Sequence, residues 1–455
     1  INVGLVGSEM CIRDRYIFYI ASIIIMLGLG GCAKAPTGQQ ELVLRDLQDF
    51  PQYTRPYISN IKPRSLLLPS EENYDKKYFE PWNYTKVPFA REAILWPHRS
   101  YSYKKSYGEN LQALPEEWFE EMYEKGDYDA YGTLNKKAIS LYYLNLRSFP
   151  THKPVFKDPN RAGEGFPFDY LQNSGIHANE PLYVSHLSKD GEWAYVFTAY
   201  STGWVPLRKI SFLSSDVTRT WQDARQVELI DEFYSIKDLE GRFVLKSRIG
   251  MRLPLVSVES EHYIALAITV GRNNSAIYTK VKIPFHVGRE GKMKFNEENL
   301  IHIADLMLQS NYGWGGLFQE RDCSSTLRDL YAPFGVWLPR NSSEQSKVGK
   351  VISLEDLSLE QKEEMILKEG IPFETFLYKK GHILLYLGVY RGEIAVLHNV
   401  WGVKTMKKGI EGRKIVGKTV ISSLNLGKER EDYDPKKGIL SLISSMNIIT
   451  QEQNP

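Results

Sequence analysis

Apolar residues in the last third of the chain recur at every third or fourth position in three segments, which is the spacing of an amphipathic helix. The helices are predicted over 296–311, 323–332 and 358–370, and capping residues, glycine or proline mark their ends. Two apolar strands follow, over 382–389 and 393–400. Helix, loop, helix and then hairpin is the order of an α+β domain.

Shorter apolar runs, broken by glycine, proline, asparagine and aspartate, occupy the middle of the chain. Closely spaced strands of this kind predict two small β-barrels. Aromatic, proline-punctuated stretches and one helix opened by Pro115 come before them and predict a small helical and irregular N-terminal subdomain. The predicted domains are 46–133 (helical and irregular), 134–215 (first barrel), 228–285 (second barrel) and 286–455 (α+β domain with a C-terminal extension).

The first residues have the pattern of an export signal. Residues 16–31 carry no charge and follow Arg13 and Arg15, and this stretch is shorter than the ~20 residues of a membrane-spanning helix. It ends in small residues before Cys32, which resembles a bacterial lipoprotein cleavage site and predicts a lipidated cysteine. The predicted segments are a signal peptide at 1–31, with residues 1–15 interpreted as an artefact of the gene model, and a tether at 32–45.

Both interpretations of this leader predict that the protein is exported. In the first, Cys32 becomes the lipidated first residue of the mature chain, and Ala33 after it favours the outer membrane over the inner one. In the alternative, an uncleaved N-terminal segment serves as the anchor. We therefore expect a periplasmic, membrane-anchored protein.

Length and charge narrow the class of protein. The chain has 455 residues, enough for about three domains of ~150 residues. Its 57 Lys and Arg against 55 Asp and Glu give a net charge of +2, and without a clustered basic surplus we expect no nucleic-acid partner. Three cysteines exclude a disulfide scaffold and any four-cysteine metal site. Because Cys11 and Cys32 lie in the leader, the exported domains contain Cys323 alone.

Cys323 stands at the predicted start of a helix, between Asp322 and Ser324. First-turn N–H groups and the helix dipole stabilise a thiolate and lower the pKa of a cysteine in this place. The negative charge of Asp322 opposes that effect, so a reactive thiol needs a histidine close by. The alternative is a buried cysteine that acts as a small apolar residue.

The predicted hairpin carries two histidines, His382 at the start of its first strand and His398 near the end of its second. Side chains alternate between the two faces of a strand, so the turn decides whether the rings meet. A three-residue turn over 390–392 places His398 opposite Leu384, on the face of His382, whereas a two-residue turn over 391–392 separates the rings. Alternatively, each is an ordinary histidine at a strand end.

Other polar and aromatic residues receive simpler interpretations. His302 and Asp305 share one helix face, but no third metal ligand accompanies them, so we interpret them as a solvated face. Trp193 and Trp204 are expected in a barrel core or rim rather than as sugar platforms. No segment has the spacing of a phosphate-binding loop. The sequence therefore predicts neither a metal nor a cofactor.

Five short blocks in the last third resemble the catalytic domain of the NlpC/p60 family of cysteine peptidases, over about 300–402. The segments around 147–151, 203–205 and 249–254 resemble paired bacterial SH3-like domains, which accompany one branch of that family. The resemblance implies a papain-like α+β catalytic domain preceded by two small SH3-like barrels. The blocks are Tyr-Gly-Trp-Gly-Gly at 312–316, Asp-Cys-Ser at 322–324, Leu-Pro-Arg-Asn-Ser-Ser-Glu-Gln at 338–345, Gly-His-Ile-Leu-Leu-Tyr-Leu-Gly at 381–388 and His-Asn at 398–399.

The resemblance implies a catalytic role for four positions. Cys323 is the nucleophile. His382 is the general base and later the acid, and His398 is the polar residue that orients it. The hydroxyl of Tyr312 lies with the Cys323 backbone N–H where the tetrahedral oxyanion forms.

The resemblance also implies substrate contacts at Asp322 and Ser324. In related enzymes with SH3-like domains, the matching acid recognises the free amine of a terminal L-Ala. Asp322 is also a candidate helix N-cap, and one residue can do both. Arg340 and Gln345 are expected to brace the site rather than to contact substrate. The stretch 349–371 and the C-terminal tail depart from the family pattern.

The expected protein is a membrane-tethered cysteine peptidase without a cofactor. It would cut the γ-D-glutamyl to diamino-acid bond of peptidoglycan stem peptides or muropeptides through a thioester acyl-enzyme. The first SH3-like domain would close one end of the cleft and restrict the substrates to small muropeptides. The alternatives are a non-catalytic peptidoglycan-binding protein built on SH3-like modules, and an acyltransferase or amidase on the same fold.

Overall fold

The computed structural model describes residues 44–58, 66–67, 71–271 and 275–452. The predicted signal peptide, the predicted lipidation site Cys32 and nearly all of the predicted tether lie outside these residues. Within the described ranges, no helix combines the length and the apolar composition needed to cross a membrane.

Short helices and irregular segments form the N-terminal region. The longest helix begins at Glu116, directly after Pro115, and ends at Gly126. Trp82 is fully buried, and its Nε1–H donates to the carbonyl of Ala138 in the first sheet at 2.8 Å. The helices are Asp46–Asp49, Arg55–Ile58, Glu71–Tyr78, Glu80–Asn83, Arg91–Ile94, Trp96–Ser100 and Glu116–Gly126, with 3-10 turns at Tyr103–Lys105 and Tyr128–Ala130.

The first sheet of the middle region has seven antiparallel strands, and their order in space is 3-2-6-5-4-1-7 when they are numbered along the chain. Trp193 and Trp204 are buried in an aromatic cluster on this sheet, in agreement with the core interpretation. The strands are Lys136–Ser140, Leu144–Arg147, Gln172–Ile176, Pro181–Leu187, Trp193–Phe197, Thr202–Pro206 and Ile210–Phe212.

The second sheet repeats the order 3-2-6-5-4-1-7, again with antiparallel neighbours. The helix Ser215–Asp223 connects the two sheets, after a 3-10 turn at Leu207–Lys209. Two sheets with one topology agree with the two small β-barrels that the sequence predicts in this region. The strands of the second sheet are Gln226–Leu229, Ser235–Asp238, Phe243–Lys246, Arg252–Val258, His262–Val270, Ala276–Pro284 and Gly288–Glu290.

The last domain packs helices against a six-stranded antiparallel sheet whose order in space is 1-6-2-3-4-5. The strand pair Leu66–Leu67 and Gln451–Glu452 lies apart from this sheet. The six strands are Lys350–Ser353, Thr375–Lys379, His382–Tyr390, Glu393–Lys407, Ile410–Ser423 and Ile443–Ile448. The helices are Glu297–Met307, Cys323–Tyr331, Ser342–Gln345, Leu359–Glu369 and Ile439–Leu442, with 3-10 turns at Trp314–Gln319, Ala332–Phe334 and Pro435–Lys437.

The helix Cys323–Tyr331 lies on the central strands of this sheet, which brings Cys323 close to the two histidines. Leu327 and Leu330 are fully buried in one apolar cluster with strand residues such as Ile383 and Leu385. Full burial of each large aliphatic side chain stabilises the folded protein by about 1.5–3 kcal/mol, and this free energy holds the helix against the sheet.

The hairpin between the two histidine strands differs from the predicted one. Its turn has two residues, Arg391 and Gly392, both with positive φ, and the sequence argument expected such a turn to separate the rings. A β-bulge between Tyr386 and Gly388 shifts the register by one residue, so Leu385 lies opposite Leu397. If this register continues by one residue, His398 lies opposite Leu384 and therefore on the same face of the sheet as His382. The bulge has this effect because an extra residue in one strand moves the following side chains to the other face, as a longer turn would.

Candidate active site

Cys323 is the first residue of its helix, and Asp322 is the N-cap. The Asp322 carboxylate accepts the Ser325 N–H at 2.8 Å, and the Ser325 hydroxyl accepts the Asp322 N–H at 2.9 Å, which completes a capping box. Cys323 is 7% exposed, and its sulfur interacts with the backbone N–H of Ile383, the residue after His382. The thiol therefore faces the start of the strand that carries His382.

The two histidines form a hydrogen-bonded chain that ends on a serine. His382 Nε2 lies 2.8 Å from His398 Nδ1, and His398 Nε2 lies 3.1 Å from the Ser422 hydroxyl. The Ser422 hydroxyl donates to the carbonyl of Ser423 at 2.9 Å. Ser422 occupies the strand next to His398, beyond the part of the chain where the sequence argument placed the site.

This series of hydrogen bonds determines the tautomers of both imidazole rings. Because Ser422 uses its proton on a carbonyl, its oxygen accepts the N–H of His398 Nε2. His398 Nδ1 then accepts the N–H of His382 Nε2. The Nδ1 atom of His382 is left unprotonated, as a base for the thiol requires.

In the free protein, burial keeps the thiol and the imidazoles neutral. Burial raises the pKa of Cys323 to about 12, and the charge of Asp322 raises it further. Burial, His398 and Lys379 hold the pKa of His382 well below its ordinary value, and burial lowers the pKa of His398 to about 3. The prediction that the helix start lowers the thiol pKa is therefore wrong for this state, since desolvation outweighs the dipole.

Tyr312 lies beside Cys323, in a loop that the first sheet holds. The negative charge of a Cys323 thiolate would raise the pKa of the Tyr312 phenol, which burial already raises well above its ordinary value. The Tyr312 backbone N–H donates to the carbonyl of Gly417 at 2.8 Å. Tyr312 therefore remains protonated and able to donate a hydrogen bond near the thiol.

Two glycines let this loop approach the first sheet. Gly315 and Gly316 have φ of +57° and +88°. A Cβ on Gly315 would lie 2.5 Å from the carbonyl oxygen of Gln172, and one on Gly316 would lie 2.6 Å from the backbone nitrogen of Gly175. Only glycine fits such a close approach, which gives the 312–316 block a physical reason.

Asn399 connects the loop of Tyr312 to the segment before Cys323. Its Nδ2–H₂ group donates to the carbonyl of Asn311 at 3.1 Å and to that of Arg321 at 2.9 Å. These carbonyls belong to the residues just before Tyr312 and Asp322. The neighbour of His398 thus sets the spacing between the two chain segments of the site.

Arg340 organises the residues predicted to contact substrate. It donates to both carboxylate oxygens of Asp322, at 3.1 and 2.7 Å, and to the hydroxyls of Ser324 at 3.0 Å and Ser174 at 2.8 Å. Burial would raise the pKa of Asp322, but Arg340 and the Ser325 bonds hold it below its ordinary value. Asp322 is thus an ionised N-cap, and Arg340 has the predicted bracing position.

Gln345 also has the position of a brace. Its Nε2–H₂ group donates to the carbonyls of Ser324 and Pro339, each at 2.8 Å. These bonds fasten the loop that carries Arg340 to the helix that begins with Cys323.

The remaining candidate residues lie away from the thiol. His302 bonds the carbonyl of Ile230 at 3.1 Å, and the Asp305 carboxylate accepts the N–H and hydroxyl of Thr54 at 2.7 Å each. Both residues make fold contacts, and His302 is also exposed, in agreement with the predicted solvated face. The described ranges contain no group of three or more His, Cys, Asp or Glu that could hold a metal ion.

The site could be only partly foreseen. A motif or a helix start marked Cys323, Tyr312 and the two histidines, but the roles of Ser422 and Asn399 were missed. Asn399 belongs to the His-Asn block at 398–399, so that motif was the signal that could have identified it. Ser422 is an ordinary strand serine, and its role depends on a register that the sequence does not reveal.

A cysteine at a helix start, facing a histidine pair on an antiparallel sheet, defines a papain-like thiol hydrolase. Family models agree with this class. The NlpC/P60 family model matches residues 309–406, an SH3 domain model of the SH3b1 type matches 154–206, and the model of the N-terminal NLPC_P60 stabilising domain matches 20–131. The chain thus contains an NlpC/P60 domain at residues 309–406, as the sequence blocks predicted.

A solved structure shows the same fold, and a second one is less similar. An NlpC/P60 endopeptidase from Photobacterium damselae subsp. piscicida is 22% identical, with a TM-score of 0.72 over 89% of this chain and 95% of that one. An NlpC/P60 family protein from Bacillus cereus ATCC 10987 is 15% identical, with a TM-score of 0.45 over 69% of this chain and 99% of that one. A comparison with curated proteins finds no match.

Proposed function

We propose that this protein is a cysteine endopeptidase that cleaves the γ-D-glutamyl to diamino-acid bond of peptidoglycan stem peptides. The observation that carries the proposal is the chain from His382 through His398 to Ser422, next to the thiol of Cys323. This arrangement supplies a nucleophile, a base in the required tautomer, and a partner for the base. The family supplies the class of substrate.

Acylation begins when His382 Nδ1 takes the proton of the Cys323 thiol as the sulfur attacks the carbonyl carbon. The negative charge moves to the carbonyl oxygen, which the Tyr312 hydroxyl and the Cys323 backbone N–H stabilise. The C–N bond then breaks, and the amine leaves with the proton from His382. A γ-D-glutamyl thioester remains on Cys323.

Deacylation repeats these steps with water. His382 takes a proton from the water, whose oxygen attacks the thioester, and the C–S bond breaks as the thiolate regains a proton. His398 keeps the imidazolium oriented because its Nδ1 accepts the Nε2–H of His382. The neutral resting pair is compatible with this sequence, because the proton moves to His382 as the sulfur attacks.

The first sheet is proposed to close one end of the cleft. The segment between its second and third strands packs on the aromatic side of the site, with Phe168 5.1 Å from Trp314 and 6.0 Å from Trp401 between ring centroids. This wall supports a preference for small muropeptides over intact peptidoglycan.

The test incubates the purified full chain with L-Ala-γ-D-Glu-diaminopimelate, beside a Cys323→Ala variant. We expect the wild type to release the diamino acid and the variant to lose all detectable activity, since the thioester cannot form without the sulfur. Equal release by both proteins would remove Cys323 from the reaction.

The same assay separates the two alternatives. A binding protein would retain the peptide without turnover in both forms. An acyltransferase or amidase would leave the stem peptide intact and act on another acyl group through Cys323.

A further inference from the structure

A long hairpin extends beyond the six-stranded sheet of the last domain. Its first strand, Glu393–Lys407, pairs with His382–Tyr390 only up to Leu397, whereas it pairs with Ile410–Ser423 up to the turn. Within the described chain, the distal part of the hairpin therefore has no third strand of the sheet beside it. About six residues of each strand project in this way, which is about 20 Å at 3.3 Å per residue. We call residues 402–418 the finger.

The finger has a defined conformation. Its turn consists of two residues, Lys408 and Gly409, with φ of +52° and +78°, and two positive φ angles match the twist of a hairpin with a two-residue turn. On one side, the Met406 N–H donates to the carbonyl of Asp432 at 2.6 Å. The side chains at the end of the finger are therefore held in fixed places.

Positive charge is concentrated on the finger. It contains six Lys or Arg and a single acid, Glu411, whereas the whole chain has a net charge of only +2. Acids therefore outnumber Lys and Arg in the rest of the chain. The six cations are Lys404, Lys407, Lys408, Arg413, Lys414 and Lys418.

Most of these cations have no acid to neutralise them. Lys404 pairs with Glu411 at 2.8 Å, and in the described ranges no other cation of the finger lies within 4.0 Å of a carboxylate. Lys407, Lys408 and Lys418 are exposed. The finger therefore presents a net positive charge to its surroundings.

Apolar side chains share the end of the finger with the lysines. Ile410 is 74% exposed, which is the largest value among the large apolar side chains of the described residues, and it lies directly opposite Lys407. Ile415 and Met406 are also exposed. Hairpin turns in water are usually polar, so this mixture of lysine and large apolar side chains indicates a partner that accepts both.

A bilayer surface that contains anionic lipids is such a partner. Its negative potential attracts lysines, and apolar side chains between them can enter the boundary between the headgroups and the acyl chains. A nucleic acid or another soluble polyanion would neutralise the lysines but would leave Ile410 in water. The observations therefore favour a lipid surface over a soluble polyanion.

We propose that the finger docks on an anionic phospholipid surface, with Ile410 and Met406 inserted between the headgroups and Lys407 and Lys408 bound to phosphates. This inference goes beyond the proposed peptidase activity and does not depend on it. It also does not depend on a lipid at Cys32, because the finger makes the contact with its own side chains.

The experiment measures how the purified full chain partitions onto vesicles of phosphatidylcholine, or of equal parts of phosphatidylcholine and phosphatidylglycerol. Every protein carries Cys32→Ser, so that no lipid is attached, and every protein retains the predicted apolar leader, whose contribution cancels in each ratio. On the anionic vesicles, the double variant Lys407→Gln/Lys408→Gln should partition roughly 25-fold less, about fivefold for each lysine. Ile410→Thr should partition about tenfold less.

Two matched controls should partition as the wild type does. Lys104→Gln/Lys105→Gln removes two consecutive exposed lysines from a short turn of the N-terminal region. Ile277→Thr changes an exposed isoleucine on an antiparallel strand of the second sheet. A loss confined to the finger variants supports the proposal, and equal partitioning of the finger variants and the wild type contradicts it.

Hydrogen exchange of the protein without finger substitutions tests the contact without relying on the folding of a variant. Anionic vesicles should slow exchange in the segment 403–412, and phosphatidylcholine vesicles should not. Unchanged exchange in this segment on anionic vesicles would overturn the proposal. So would a DNA duplex that binds as tightly per phosphate as the anionic vesicles and is not weakened by Ile410→Thr, since the finger would then be a site for soluble polyanions.

Discussion

The two seven-stranded sheets share one strand order but contact the catalytic domain in different ways. The first sheet meets the Tyr312 loop mainly through neutral hydrogen bonds: the Tyr143 hydroxyl donates to the Gly316 carbonyl at 2.7 Å, and Trp314 Nε1–H donates to the Asp169 carbonyl at 2.9 Å. The second sheet meets the segment before Cys323 through buried charges. Glu232 lies 2.6 Å from Arg321, which also pairs with Asp329 at 2.7 Å.

This difference shows how one fold can serve two purposes. Neutral, directional bonds to a glycine-rich loop determine where the Tyr312 hydroxyl, the proposed oxyanion donor, lies. A buried ion pair mainly holds two domains together, because its loss leaves an uncompensated charge inside the protein. We therefore expect changes in the first contact to affect turnover and changes in the second to affect stability.

The largest effect is expected at Glu232. Glu232→Gln removes the charge that faces Arg321 and Arg248, and it should lower the free energy of unfolding by about 3–5 kcal/mol. Urea denaturation measures it. Glu290→Gln is the matched control in the same sheet, since its partner Arg225 is exposed and a surface pair contributes about 0–1 kcal/mol. Similar losses in both variants would contradict the assigned role of the second sheet.

The next effect is expected in catalysis. Gly316→Ala places a Cβ against the first sheet and must shift the Tyr312 loop, so kcat/KM should fall roughly 100-fold. Gly241→Ala is the control, because Gly241 also has positive φ, +84°, but nothing within 4 Å of its Cβ position. The strain is then matched and only the clash differs. If both variants keep wild-type kcat/KM, the loop position does not limit the reaction.

The smallest effect concerns the dependence of stability on pH. Glu180 is a buried acid of the first sheet, which otherwise contacts the catalytic domain mainly through neutral groups. Burial raises the pKa of Glu180 from 4.5 to about 7, against the opposing charge of Arg328. Between these values the unfolded chain has released a proton that the folded protein retains. Folding stability should therefore fall as the pH rises from about 4.5 to 7, and then level off.

Glu180→Gln should remove this pH dependence, on the order of 2 kcal/mol. Urea midpoints of both proteins at pH 5 and pH 8 provide the measurement. Parallel pH profiles would show that Glu180 carries its charge in the folded protein at both values.

Much of the fold follows from local patterns. The helix predicted over 323–332 is observed as Cys323–Tyr331, and the one over 358–370 as Leu359–Glu369, because caps and breakers act within one turn. The strand predicted over 393–400 continues to Lys407. Its extension pairs with Ile410–Ser423, and pairing is a property of two segments rather than of one.

The amino-acid sequence by itself determined the thiol at a helix start, the two histidines in one hairpin, and the glycines at 315 and 316, since each depends on neighbours a few residues away. Only the tertiary structure decided that a bulge at Leu387, and not the turn, brings His382 and His398 together. It also decided that Ser422 completes their chain, and that burial raises the thiol pKa. The reason is that register, desolvation and long-range contacts depend on groups that are distant along the chain and meet only after folding.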